Sequence, residues 1–185
     1  MKFFLGVAII ILGAVVGGIF ISTKSGNLSK QAPTPSENRT MEIASTSFQN
    51  NTPIPKKYTC DGVNINPAFS ISNVPAAAKS LALIVSDSDA PGGDFIHWLV
   101  WNITPTTTQI AEGTAPTGAV VGKNDFSKNG YSGPCPPSGT HRYIYTIYAL
   151  DTILRLDSGA KKIDVQKTIA GHLLSAPALI GTYSR

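Results

Sequence analysis

Between Ile84 and Ile103 the chain reads IVSDSDAPGGDFIHWLVWNI, which sets Asp87, Asp89 and His97 between two apolar runs. Residues two apart on a strand share a face, and two carboxylates on one face repel unless donors, a cation or a neutral partner hold them. Ala90 and Pro91 then stop the strand. His97 opens the next apolar run, so antiparallel pairing of 80–87 with 97–104 brings it to the sheet end that carries Asp87. There a carboxylate can hold one ring nitrogen and leave the other for a ligand. A lone histidine at a strand end is ordinary, but with two aspartates beside it the three read as the wall of a pocket.

A second feature is GKNDFSKNGYSGPCPPSGTH, residues 122–141, which has no helical or strand period. Twenty irregular residues inside a domain are the mark of a binding loop. The amides near Gly130 and Gly133 can form an anion-binding concavity, although the lysine and spacing of a P-loop are missing. No catalytic residue is assigned. Ser88, Asp89 and His97 lack a G-x-S-x-G elbow, and Asp87 and Asp89 are too close in sequence to flank a glycosidic bond. Cys60 and Cys135 show no metal-ligand spacing, so no metal is expected. The two either stay free thiols or form one disulfide closing a long loop.

The elements that must position these groups are mostly strands. Residues 42–49, 68–72, 80–87, 97–104 and 142–151 have strand character, and 80–87 and 97–104 are apolar enough to be central strands covered on both faces. Trp98 and Trp101 lie at an odd separation and face opposite sides. One helix is expected over 164–176, where Val165, Ile169, Leu173 and Ala176 form a stripe and Asp164 can cap the start. His172 on that helix reads as packing or capping. These runs suggest a mostly β fold, either a sandwich or a large mixed sheet.

Residues 1–21 are a different kind of segment. Phe3 to Ile21 is uncharged and just long enough to cross a bilayer, and it ends without a convincing small-x-small site. An uncleaved anchor is therefore favoured over a cleaved signal. Lys24 and Lys30 balance Lys2, so the positive-inside bias assigns no orientation. Residues 22–41 are Ser, Thr, Pro, Asn and Gly with scattered charge, a flexible tether. The domain is read as 42–185, with eleven Lys and Arg against ten Asp and Glu. The net +4 of the chain thus lies mainly outside the domain and argues against nucleic acid as a partner.

SDSDAP with IHWLVWNI, followed by GKNDFSKNGYSGPCPPSGTHRYIYTIYALD, resembles the phosphatidylethanolamine-binding protein family, in its bacterial and archaeal Raf-kinase-inhibitor-like branch. The likeness runs from IPKKYTCDGVNINPAFSISNVP to GHLLSAPALIGTYSR and covers essentially all of 42–185. It implies a β-sandwich of a large central sheet and a second small sheet with a C-terminal helix, and a small anion pocket at one end. By position it implies ligand-binding roles for Asp87, Asp89, His97, Gly133, Pro134, His141 and Tyr143. Pro91 and Arg142 would support the pocket, Arg142 by pairing with an aspartate. The family pattern usually has proline where this chain has Ser88. The implied ligand is phosphate or a phosphorylated headgroup, without a cofactor. The domain would be membrane-anchored through residues 3–21 outside the cytoplasm, or secreted. The alternative role is a protein-interaction module that inhibits a protease or a kinase.

Overall fold

A computed structural model describes residues 40–185, so the expected anchor and nearly all of the tether lie outside the described residues. Among those described, no helix is long and apolar enough to cross a membrane. Met41, expected to end the tether, is instead buried in the core.

The strands in chain order are β1 (Glu42–Ala44), β2 (Thr52–Pro53), β3 (Phe69–Ser72), β4 (Ser80–Asp87), β5 (Phe95–Ile103), β6 (Gln109–Ile110), β7 (Val120–Val121) and β8 (Thr140–Leu150). Helix α1 (Lys162–Ile169) follows, then β9 (Leu173–Ser175) and β10 (Ala178–Ser184). They form a small sheet ordered β1-β3-β6 and a large one ordered β2-β10-β8-β4-β5-β7, with β9 pairing the end of β8. The large-sheet ladders are antiparallel except for β2 with β10. This is the expected mostly β architecture of a large and a small sheet.

Alternation along the central strands explains why the large sheet is buried on both faces. Leu81, Leu83 and Val85 of β4 and Tyr145 and Ile147 of β8 point toward the small sheet, where Ile43, Phe69 and Ile71 meet them. Ala82, Ile84, Leu99 and Trp101 point the other way and are covered by Leu154, Val165 and Ile169. Trp98 packs with the first cluster and Trp101 with the second, as their separation implies.

Two expectations about elements change. The helix spans Lys162–Ile169 rather than 164–176, because Ala170 leaves the helical region and Gly171 adopts φ 87°. Leu173 is then free to pair with Leu150 as part of β9. Asp164 is the third helical residue, not the cap, and its carboxylate accepts the Lys161 N–H at 3.0 Å. The run 42–49 yields only the short β1 before the chain turns.

Candidate functional site

The β4–β5 register contains an irregularity that sequence alternation alone does not show. Val85 pairs with Trp98 and Ser86 with Ile96, leaving His97 as an extra residue. Such a bulge turns two successive side chains to one side. His97 consequently shares the inner face with Trp98, and its ring lies 5.2 Å from that of Tyr143. Asp87 ends β4 on the same face, opposite Phe95 on one side and Tyr143 on the other. His141 arrives from β8, two residues before Tyr143.

Asp87, His97 and His141 border a cavity of about 180 Å³ at the Asp87 end of β4. Asp87, His97 and His141 provide its polar lining, and Pro91, Phe95, Phe126, Cys135 and Pro137 its apolar walls. Phe126 packs edge-on against both Phe95 and His97, at 4.8 and 5.3 Å between centroids. A larger cavity of about 290 Å³ lies near Asn64 and Tyr131, but no carboxylate or imidazole lines it.

The polar lining is buried and ordered. His97 is 2 % exposed, and its Nδ1 lies 2.6 Å from the Ser132 carbonyl oxygen. A carbonyl only accepts, so Nδ1 carries the proton and Nε2 is left without a hydrogen-bond partner among the described residues. Burial pushes the His97 pKa down, opposed by the Ser132 and Gly133 carbonyls and the Asp87 charge, and this favours the neutral ring. Asp87, 4 % exposed, accepts the Asp89 N–H at 2.9 Å and lies 2.7 Å from His141 Nδ1. Beneath them Tyr143, which does not itself line the cavity, keeps its hydroxyl fully buried beside the Asp87 carboxylate and the Cys135 backbone, short of full hydrogen-bond geometry with either. Burial raises the Tyr143 pKa strongly, and the Asp87 carboxylate beside it adds to the effect, so the phenol stays protonated.

Other predicted site residues sit elsewhere. Asp89 does not line the cavity. It accepts three bonds from Arg142, from the backbone N–H at 2.8 Å, Nε at 2.9 Å and Nη2 at 2.6 Å. That fork-to-carboxylate pairing, with the N–H bond, holds Asp89 down to about 2 and keeps Arg142 on the outside. Pro91, expected as support, is a wall residue. Gly133 and Pro134 do not line the cavity, and the expected free Gly133 amide is taken: its N–H donates to Asn64 Oδ1 at 2.7 Å. The Pro134 carbonyl accepts the Cys60 N–H at 3.0 Å. Cys60 and Cys135 form a disulfide with 5.4 Å between Cα atoms, which fastens the cavity wall to the 3-10 turn Lys56–Tyr58 and its exit. The Ser88 N–H donates to the Arg142 carbonyl at 3.2 Å, a bond that proline cannot make, while its hydroxyl is buried without a partner.

Several organising residues were not singled out from sequence. Asn124 is 3 % exposed, and its amide reaches Gly130 O and Ser132 Oγ at 3.0 Å and His97 O at 3.3 Å. Its Oδ1 accepts the Lys128 N–H at 3.0 Å. The next residue, Asp125, accepts the Ile96 N–H at 2.7 Å. The adjacent Asn and Asp in the turn-rich run KNDFSKNG were the available signal, since these side chains characteristically bond nearby backbone in loops.

Residues 44–184 match the family profile described as phosphatidylethanolamine-binding protein. A UPF0098 protein of Methanothermobacter thermautotrophicus is 48% identical over 150 residues, covering 78% of this chain and 99% of the relative. One of Pyrococcus horikoshii is 44% identical over 158 residues, covering 80% of this chain and 79% of the relative. Among solved structures, a putative phosphatidylethanolamine-binding protein homolog, CT736 of Chlamydia trachomatis, aligns with a TM-score of 0.76 at 42% identity. It covers 79% of this chain and 98% of its own. E. coli YbcL, described as a member of the mammalian PEBP family, aligns with a TM-score of 0.75 at 29% identity, over 80% and 99% of the two chains. With most of its length matched by the profile and by these relatives, the chain belongs to the phosphatidylethanolamine-binding protein family.

Proposed function

We propose that the chain is a binding protein without catalytic turnover, whose cavity at the Asp87 end of β4 takes a small phosphate-type anion. The observation that carries this reading is the buried polar lining of Asp87, His97 and His141 at one end of the cavity, in which His97 Nε2 has no hydrogen-bond partner among the described residues. A buried polar atom without a partner costs about 1–3 kcal/mol, which a bound ligand would recover. The His141 Nδ1 proton tempers the Asp87 charge, so an anion need not face a bare carboxylate. The cavity volume suits a phosphate group and a short substituent, with Phe95 and Phe126 against the latter.

Isothermal titration of the full chain with inorganic phosphate tests this. Saturable one-to-one binding, weakened by His97→Ala, is the expected result. Equal affinity in His97→Ala removes the observation on which the reading stands, and no binding at all removes the reading.

The disulfide also bears on location, because such bonds persist mainly in oxidising compartments. Together with the apolar run 3–21 it supports a domain outside the cytoplasm, anchored or secreted. Fractionation of cells expressing the full chain, with alkylation of free thiols before lysis, checks this. Cytosolic protein with both thiols alkylated would contradict it.

A further inference from the structure

The larger cavity, of about 290 Å³, shares no lining residue with the one at the Asp87 end of β4. Exposed Asn64 and Asn129 lie in its lining together with Asn66 and Trp98, which are only 3 % and 1 % exposed. What the three asparagines already bind fixes which way each amide points. Asn66 Nδ2 donates to the Pro67 carbonyl at 3.0 Å and the Ala111 carbonyl at 2.9 Å, so its Oδ1 is left as an acceptor. Asn129 Nδ2 donates to the Val121 and Ser158 carbonyls at 3.3 and 2.9 Å, which again leaves Oδ1. Asn64 is reversed: its Oδ1 accepts the Gly133 N–H at 2.7 Å, and Nδ2 is left as a donor.

Among the described residues neither Asn66 Oδ1 nor the Trp98 indole N–H has a hydrogen-bond partner. The side-chain polar atoms sealed away unpartnered there are Ser88 Oγ, Trp101 Nε1 and Tyr143 Oη, so these two are not sealed. For side chains this deeply buried, the open space they reach is the cavity they line. The lining thus supplies two donors and two acceptors, with Ile65 and Val121 as apolar wall and no charged side chain. An ion entering would lose its water without gaining a counter-charge. A hydroxyl both donates and accepts, so the hydroxyls of a carbon ring can meet donors and acceptors alike while the ring C–H groups face the apolar wall. The volume, at the lower end for ligand pockets, fits one such ring.

We propose that this cavity is a second binding site, which takes an uncharged monosaccharide. Sugar hydroxyls donate to Asn66 Oδ1 and Asn129 Oδ1 and accept from the Trp98 indole N–H and Asn64 Nδ2. The proposal stands apart from the anion reading, and neither depends on the other.

The test follows the two indole N–H signals of the full chain by NMR during titration with glucose, galactose, mannose and N-acetylglucosamine, with uracil as a neutral planar competitor. Trp101, on the opposite face of the sheet, is the internal control. At least one sugar should move the Trp98 signal saturably, with a dissociation constant on the order of millimolar, and leave Trp101 in place. Ala115→Phe fills the cavity and should weaken that sugar at least about tenfold, while inorganic phosphate affinity stays within about twofold. No Trp98 shift with any of the four sugars at about 100 mM, far above that constant, overturns the proposal, whether or not uracil binds. Equal movement of both indole signals, or undiminished sugar binding in Ala115→Phe, overturns the placement in this cavity. If the variant fails to fold, the contrast between Trp98 and Trp101 in the wild-type chain decides.

Discussion

Alanine at position 133 reaches the site through its frame. Glycine-to-alanine changes at compatible positions stabilise by about 0.4–1 kcal/mol by reducing unfolded-chain entropy. Gly133 is not at positive φ, so backbone strain does not decide the sign here. Sterics do: a Cβ would fall well inside contact with the Tyr58 carbonyl oxygen and 2.8 Å from both Asn64 Oδ1 and Thr59 Cα. The carbonyl cannot easily yield, because Tyr131 Oη donates to it at 2.9 Å and the disulfide fixes Cys60 two residues on. Overpacking of this kind costs about 1–3 kcal/mol, and loss of the Gly133–Asn64 bond adds about 1 kcal/mol. After the entropy gain, Gly133→Ala is expected to lose about 2–3 kcal/mol, roughly 5–10 °C in Tm for a domain of this size. Because the Ser132 carbonyl holding His97 is one residue away, the His97 imidazole resonances should move as well. Urea denaturation with histidine-selective NMR measures both. Stability within about 0.5 kcal/mol of wild type, with unmoved His97 signals, would refute the reasoning that Gly133 is a contact point rather than an anion donor.

Asn124→Ala removes one buried amide that ties His97 O, Gly130 O and Ser132 Oγ together, and is expected to cost about 2–4 kcal/mol by urea denaturation. A loss under about 0.5 kcal/mol would show that the loop does not depend on it. Reducing the Cys60–Cys135 bond, which closes a 75-residue separation, should lower stability by about 4 kcal/mol on the chain-entropy account. Thermal melts with and without a dithiol check that, and coincident melts would contradict it. The Asp89 pKa, held at about 2 by Arg142, is depressed, so the pair's contribution is present above the ordinary aspartate range and is lost as pH falls from about 4 through about 2. In Arg142→Gln the Asp89 carboxyl, followed by carbon NMR, should titrate higher than in wild type but short of its usual value, because the backbone N–H of residue 142 still donates to it. An unchanged titration would show that something other than Arg142 holds it down.

The fold and the chemistry were legible to different depths. The apolar runs 80–87 and 97–104 and the alternating tyrosines 143 and 145 reveal the central strands, because alternation and β-branched content are local properties. Asp87 and His97 are expected at one sheet end from the antiparallel pairing of 80–87 with 97–104, whereas His141 joins them only through the family resemblance. Asp89 does not join them, because the same-face rule lapses where β4 ends at Asp87 and the chain turns. The bulge that turns His97 onto the inner face depends on pairing with β4, which nothing local encodes. The amide of Gly133 looks free in sequence, yet its acceptor, Asn64, lies 69 residues away. The helix stops early because Gly171 and a partner strand intervene, although the apolar stripe continues.

The central claim, a phosphate-binding cavity walled by Asp87 and two histidines, is tested most directly by imidazole nitrogen NMR of the full chain titrated with inorganic phosphate. Without ligand, His97 should show the neutral ring protonated at Nδ1, as the Ser132 bond requires. With phosphate, the His97 Nε2 and His141 signals should shift saturably with a common dissociation constant. His172, paired with Asp151 on the surface, should stay put. Unmoved His97 and His141 signals at saturating phosphate, or shifts matched by His172, would contradict the account.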